Sequence, residues 1–326
     1  MKTVCIYHSI DLDGWMSAAI VKHWFLNDRD GIDEKYPIVS MQDNNIVSKT
    51  INGQGYSLNF IGYNYGQSIP DLSEYDKVIM CDISFPKDEM IKLWDRVGVD
   101  NMIWIDHHIS AIKDIQNTKW VWHGAQDTKF AACELTWKYF FPNEKMPEIV
   151  RLLGRYDCFG HKGTDEEQVV LWFQYAARSF MKNYKDCYEF LINSVISKDK
   201  GSTTINYLFK TGSNIYNYLC TEAKQTYKNR FEIIFKSTPK DETCGAALYK
   251  FICINKERFN PINFGIDYHK DGYDGCACFH YADGMWNFSI YNDNGKVDCS
   301  VIAKSFGGGG NNGAAGFRIK DLSKIF

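Results

Sequence analysis

Short apolar runs, TVCIY at 3–7, KVIMC at 77–81 and NMIWI at 101–105, alternate in the first half of the chain with segments whose apolar residues return every three or four positions, such as GWMSAAIVKHWF and DEMIKLWDRV. The short runs lack polar interruption and read as strands, and the longer periodic segments read as helices. Their alternation predicts βαβ units and a parallel sheet of Rossmann-like type. The pattern then turns helical over 130–159 and 184–196. Ser202-Thr203 offers a cap for a further helix, interrupted near Gly212 and running on toward Phe235, with Lys, Gln and Asn on its outer face. From Gly245 on, strands take over: ALYKFICIN, GCACFHY and MWNFSIYN, then a short helix at VDCSVIAKSF, a glycine run and a last strand, AAGFRIK. The expected fold class is α/β with two domains. A parallel-sheet domain spans 1–200, a helical linker 201–236, and a smaller mixed α/β domain 237–326.

Composition narrows the function. With 326 residues, 45% hydrophobic and 15% aromatic, the chain has room for two buried cores. A net charge of -3 argues against a long, sequence-blind nucleic-acid track, which shows a basic excess. A small phosphate-bearing ligand remains compatible. The 11 cysteines are scattered without CxxC spacing and read as small core residues. No leader is expected, and no apolar run reaches the ~20 residues of a membrane span. These features predict a reduced, cytoplasmic protein without a membrane partner.

The chemistry gathers where strands end. In VCIYHSIDLDG an apolar run closes on His8, Asp11, Asp13 and Gly14. Asp82 follows KVIMC, and Asp106, His107 and His108 follow NMIWI. In an open parallel sheet such positions share one crevice beyond the carboxyl ends of the strands. Asp157, in LLGRYDCFGH, is a further candidate after a helical stretch. Taken singly, DLDG is a favoured turn and a strand-end histidine is commonly structural. Their convergence on one rim is the stronger signal. Carboxylates crowded together repel unless a cation is present. Oxygen ligands with a minority of imidazoles suit Mn²⁺, or Mg²⁺, better than structural zinc, and the set is large enough for two ions about 3.5–4 Å apart.

HSIDLDGWMSAA, CDISFP, IDHH and RYDCF, in that order, resemble the successive motifs of the DHH phosphoesterases. GGGGNNGAAGF at 307–317 resembles the glycine-rich signature of the C-terminal domain associated with many of them. Members of this length resemble oligoribonucleases, or nanoRNases. The resemblance implies a phosphodiesterase that hydrolyses short oligonucleotides or linear dinucleotides to 5′-mononucleotides by two-metal activation of water. It assigns His8 and Asp11 to one Mn²⁺, Asp13, His107 and Asp157 to the other, and Asp82 to both. Asp106 would orient neighbouring ligands, and His108 would contact the scissile phosphate or the departing oxygen.

In the C-terminal domain the resemblance points to Gly308, Gly309, Gly310 and Asn311 for substrate, with Lys304 adding charge. Glycines let backbone N–H groups approach an anion closely. The family pattern usually has histidine where Asn311 stands and commonly arginine near Tyr291. Asparagine keeps hydrogen-bonding capacity without the positive charge. Other readings are a hydrolase of cyclic dinucleotides, pyrophosphate or other small phosphoesters, and a nucleotide-binding sensor on a decayed site. The glycine signature counts against pyrophosphatase, and the complete ligand set counts against decay. A homodimer stays open.

Overall fold

The first apolar run is strand β1 (Lys2–His8), buried along all but its first residue. Helix α1 (Leu12–Asn27) follows, then β2 (Ser40–Asp43), β3 (Ile46–Ile51) and β4 (Gln54–Tyr63). The chain continues through β5 (Lys77–Cys81), α2 (Lys87–Val97), β6 (Met102–Asp106), α3 (Ile109–Gln116) and β7 (His123–Gln126). Four helices come next: α4 (Ala132–Phe140), α5 (Glu148–Asp157), α6 (Glu167–Phe180) and α7 (Tyr184–Ile196). A long helix, α8 (Lys198–Lys228), leads into β8 (Phe231–Ser237), β9 (Ala247–Asn255), β10 (Gly275–Ala282), β11 (Met285–Tyr291), α9 (Cys299–Ser305), β12 (Gly309–Gly310) and β13 (Ala314–Ile319). The structure is a computed structural model that describes all residues except 28–39, 44, 52, 117–121, 197, 238–246 and 326. It divides into two units, Met1–Ile215 and Tyr216–Phe326.

The first unit is built on a seven-stranded sheet of order β2-β3-β4-β1-β5-β6-β7. Strands β4, β1, β5, β6 and β7 run parallel, and β3 and β2 add an antiparallel edge. Period-two alternation sends Val4, Ile6, Val78, Met80, Met102 and Trp104 to one face, under Met90 and Leu93 of α2 and Ile112 and Ile115 of α3. Cys5, Tyr7, Ile79, Cys81, Ile103 and Ile105 face the other way, against Ala18, Val21 and Phe25 of α1. Both faces are covered, which is why these strands read as unbroken apolar runs. The opposite side of α1 packs on α4 to α7 through Met16, Ile20, Trp137, Leu153, Phe173 and Leu191, so α1 is enclosed nearly all round.

The second unit is a six-stranded sheet of order β12-β13-β11-β10-β9-β8, antiparallel except for the β9–β10 pair. Its core lies between one face and α9, with Phe251, Phe288, Phe317 and Ile302 at the centre. The architecture is the expected α/β pair of a parallel-sheet domain and a smaller mixed one.

Some expectations need correction. The helical stretch expected over 130–159 is two helices, because Pro142 and Pro147 cannot continue one. The expected break near Gly212 is absent: α8 is continuous, and the glycine allows close approach, since a Cβ there would lie 1.7 Å from the Trp172 carbonyl oxygen. The helical linker expected over 201–236 ends at Lys228, and β8 occupies its last part. Nor does α8 stand apart as a linker: Ile205 and Leu208 join the first unit's core and Ala223 joins one in the second. Among the described residues no helix is long and apolar enough to cross a membrane.

Candidate metal centre

The parallel strands deliver reactive groups at one edge. β1 ends on His8, β5 runs directly into Asp82, and β6 ends on Asp106 followed by His107 and His108. The turn after β1 and the first turn of α1 add Asp11 and Asp13, and the last turn of α5 adds Asp157. His8 Nδ1 lies 2.9 Å from Asp11 Oδ2 and 3.4 Å from Asp82 Oδ2. His107 Nε2 lies 3.3 Å from Asp82 Oδ1, 3.5 Å from Asp157 Oδ2 and 3.6 Å from Asp13 Oδ2. The Asp82 carboxylate therefore turns one oxygen to each histidine.

The neighbours of these groups fix their orientation. Asp106 Oδ1 accepts from the His107 and His108 backbone N–H groups at 2.8 and 3.1 Å and sits 2.7 Å from His108 Nδ1. Asp13 is held at both oxygens, by the Ala132 N–H at 2.9 Å and the Cys133 N–H at 2.7 Å. Those donors belong to the first turn of α4, which has N–H groups without partners inside the helix.

Other atoms here lack such partners. Both ring nitrogens of buried His8, Asp82 Oδ1 and Asp106 Oδ2 make no hydrogen bond among the described residues. His8 and Asp11 are close enough for one but not aligned for it. Buried polar atoms are rarely left so, and an ion is one of the partners that resolves them. His8, Asp11 and Asp82 form one set of atoms close enough to hold a cation, Asp82, His107 and His108 a second, and His107, Asp157 and Cys158 a third. Imidazole nitrogens mixed with carboxylate oxygens suit a divalent ion such as Mn²⁺. The residues fit the group.

Two neighbours were not singled out in the sequence. Cys158 Sγ lies 3.8 Å from His107 Nδ1, and only its place beside Asp157 in RYDCF hinted at that. The Tyr65 ring centroid is 6.0 Å from that of His8 and 6.1 Å from that of His108. Tyr65 follows β4, which the hydrophobic pattern did not reveal.

The charges in this centre act strongly on one another. Burial opposes charge on His8, but Asp11 and Asp82 prevail and push it up to about 10. Burial likewise opposes charge on His107, and the nearby Asp82 carboxylate, with help from Cys158 and Asp13, pushes it up to about 12. Burial and then the Asp82 charge push Asp13 up to about 7; burial and the Asp13 charge do the same for Asp157. At neutral pH both histidines therefore hold protons, whereas a metal requires the neutral ring. Mn²⁺ loading near pH 7 should release protons, and apparent affinity should rise with pH. Calorimetry in buffers of different ionisation enthalpy measures this, and an enthalpy independent of the buffer would refute the ligand assignment.

In the second unit the glycine segment forms a tight hairpin. Gly309 and Gly310 pair with Gly316 and Ala315, and the Asn311 N–H donates to the Ala314 carbonyl at 2.8 Å. Lys304 and Asn311 are exposed. An open groove of 920 Å³ is lined by Arg258, His280, Ser289 and Arg318 with Gly307 and Gly308. Of the positions expected to bind substrate, Gly308 lines it, and Gly309, Gly310, Asn311 and Lys304 do not.

A family model described as the DHH family, N-terminal domain, matches residues 3–154, which takes in every centre residue except Asp157 and Cys158. An uncharacterized protein of Acanthamoeba polyphaga mimivirus is 25% identical over 338 aligned residues, covering 98% of this chain and 68% of that protein. The solved structure of a pGpG-specific phosphodiesterase, PggH of Vibrio cholerae, covers 98% of this chain and 93% of its own, with 11% identity and a TM-score of 0.48. An exopolyphosphatase-related protein from Bacteroides fragilis covers 98% and 87%, with 13% identity and a TM-score of 0.48.

Proposed function

We propose, from the match of residues 3–154 to the DHH family N-terminal domain, that the protein is a metal-dependent phosphodiesterase that hydrolyses short oligonucleotides or linear dinucleotides to 5′-mononucleotides. The observation that carries this reading is the buried Asp82 carboxylate shared between His8 and His107, a layout suited to two cations. His8 and Asp11 would hold one ion, Asp13, His107 and Asp157 the other, with Asp82 common to both. When bound, the ions supply Lewis-acid neutralisation of the phosphoryl oxygens and lower the pKa of an attacking water.

The rest is the work of this chain's own side chains. His108 is raised above its usual pKa because Asp106 and Asp82 outweigh its burial, which favours its protonated form. With Nδ1 directed to Asp106, its Nε2–H is the group available to the phosphate or to the departing oxygen. Burial of Asp106, 0% exposed, keeps that orientation free of competing water. Asp13 couples the centre to α4, so the site is fixed by three helices, α1, α4 and α5, and three strands rather than by loops alone.

The test is a substrate panel with purified protein and Mn²⁺. Substrates of roughly two to five nucleotides should turn over faster than a strand of about 20, because an acidic chain offers little of the phosphate-neutralising surface a long backbone needs. The products should be 5′-monophosphates, identified by chromatography. Equal or better turnover of the long strand, at matched concentrations of ends, would reject the short-substrate reading. Preference for a cyclic dinucleotide or pyrophosphate would move the protein to a different phosphoester hydrolase.

A further inference from the structure

We propose that the cavity bordered by Tyr65, Phe85, Ser110 and Asp114, beside the metal centre, is a subsite for one nucleobase of the substrate, which stacks on the Tyr65 ring. This rests on the phosphodiesterase reading and adds to it the element that recognises a nucleotide rather than a bare phosphoester.

The cavity has a volume of 260 Å³ and lies wholly in the first unit. Drug-sized ligands take about 300–1,000 Å³, so this space suits a single ring system and not a dinucleotide. Its walls are apolar: Tyr63 and Phe85 meet edge to face with ring centroids 5.0 Å apart, and Ile115 is buried. Ser84, Ser110, Asp114 and Lys87 supply the polar lining. A space of this size with aromatic walls and a few polar groups matches a base, whose faces are apolar and whose edge carries donors and acceptors.

Tyr65 belongs to both the cavity and the centre. It sits in a turn after β4, where the Gln67 N–H donates to the Asn64 carbonyl and the Gln67 side chain accepts from the Asn64 N–H. Ser84, two residues beyond Asp82, lines the same cavity. The ring packs beside the His8 and His108 imidazoles, yet the residue remains 50% exposed. An aromatic ring held against neighbouring rings and left open to solvent is a stacking platform. Because Tyr65 borders both surfaces, a base and its own phosphate can be held at adjoining places.

The full chain loaded with Mn²⁺ is assayed with a linear dinucleotide and with the same molecule carrying abasic residues. Wild-type protein should prefer the natural substrate. In Tyr65→Ala that preference should shrink about tenfold or more, mainly through KM, and Tyr65→Phe should retain it because the ring remains. An equal loss on both substrates would make Tyr65 a brace for the imidazoles and overturn the subsite. Calorimetric titration with 5′-AMP gives a readout independent of turnover. Tyr65→Ala should bind it about tenfold more weakly than wild type, whereas ribose 5-phosphate should not distinguish the two. Equal AMP affinity, or no AMP binding by wild type, overturns the subsite. Normal AMP discrimination without dinucleotide hydrolysis would instead count against the phosphodiesterase reading alone.

Discussion

Replacing Asp82 with asparagine should abolish hydrolysis while leaving the fold intact. The carboxylate is 1% exposed and places its oxygens 3.4 Å from His8 Nδ1 and 3.3 Å from His107 Nε2. An amide has one oxygen and a nitrogen that only donates, so it cannot give an anionic oxygen to each of two cations. The backbone favours asparagine as the probe. Asp82 has φ 61°, in the left-handed region that asparagine enters more readily than alanine, and its N–H donation to the Ile105 carbonyl at 2.9 Å is unaffected. We expect kcat to fall by about three orders of magnitude and the stabilisation by Mn²⁺ in thermal unfolding to shrink sharply. EDTA should inactivate wild-type protein to the same extent, with activity restored by Mn²⁺ more fully than by Mg²⁺, since His8 and His107 contribute nitrogen. Near-normal turnover by folded Asp82→Asn protein would remove Asp82 from the centre.

How much of this could be read from the chain depends on how each segment is buried. Strands β1, β5 and β6 are covered on both faces, so they announce themselves as apolar runs, and the residues at their ends follow from the geometry of a parallel sheet. β4 is also a parallel neighbour of β1, but its burial is mixed and its sequence, QGYSLNFIGY, carries glycine and asparagine among the apolar positions. Its period is unclear, and nothing local marks Tyr65, which follows it. β8 pairs with β9 at the sheet edge and leaves Phe231 and Ile234 exposed, so FEIIFKS looked like more of the preceding helix. The bond from Asp13 to the start of α4 joins residues 119 apart in sequence, and no local pattern encodes it. The glycine segment was legible as a motif, whereas the groove beside it depends on Arg258 and Arg318, which only the folded sheet brings near Gly308.

The glycine that closes the opening motif yields the other large effect: Gly14→Ala should destabilise the protein and weaken the metal centre together. Within a helix, Gly to Ala is normally favourable by about 0.5–1 kcal/mol. Here a Cβ would stand 2.1 Å from the His8 carbonyl oxygen and 2.8 Å from the His8 Cβ, too close for any rotation of a side chain to relieve. Either the end of β1 or the start of α1 must move. β1 is held in register from Lys2 to His8 by β4 on one side and by β5 on the other. α1 is enclosed by the sheet and the outer helices, so displacing it disturbs two cores. Overpacking of this kind costs about 1–3 kcal/mol, enough to reverse the helix preference and lower Tm by about 3–9 °C. The displacement would act where His8 and Asp11 must meet, and the Gly14 N–H that now donates to Asp11 Oδ1 at 3.0 Å would shift with it. Mn²⁺ affinity should fall by about tenfold to a hundredfold, the range seen when the groups supporting metal ligands are lost. Gly55→Ala, where a Cβ meets nothing within 4 Å, is the control and should leave both quantities close to wild type. Thermal unfolding with and without Mn²⁺ reads the two effects in one experiment. A Gly14→Ala protein as stable as wild type, with undiminished Mn²⁺ response, would mean that the approach of α1 to β1 does not set the geometry of the centre.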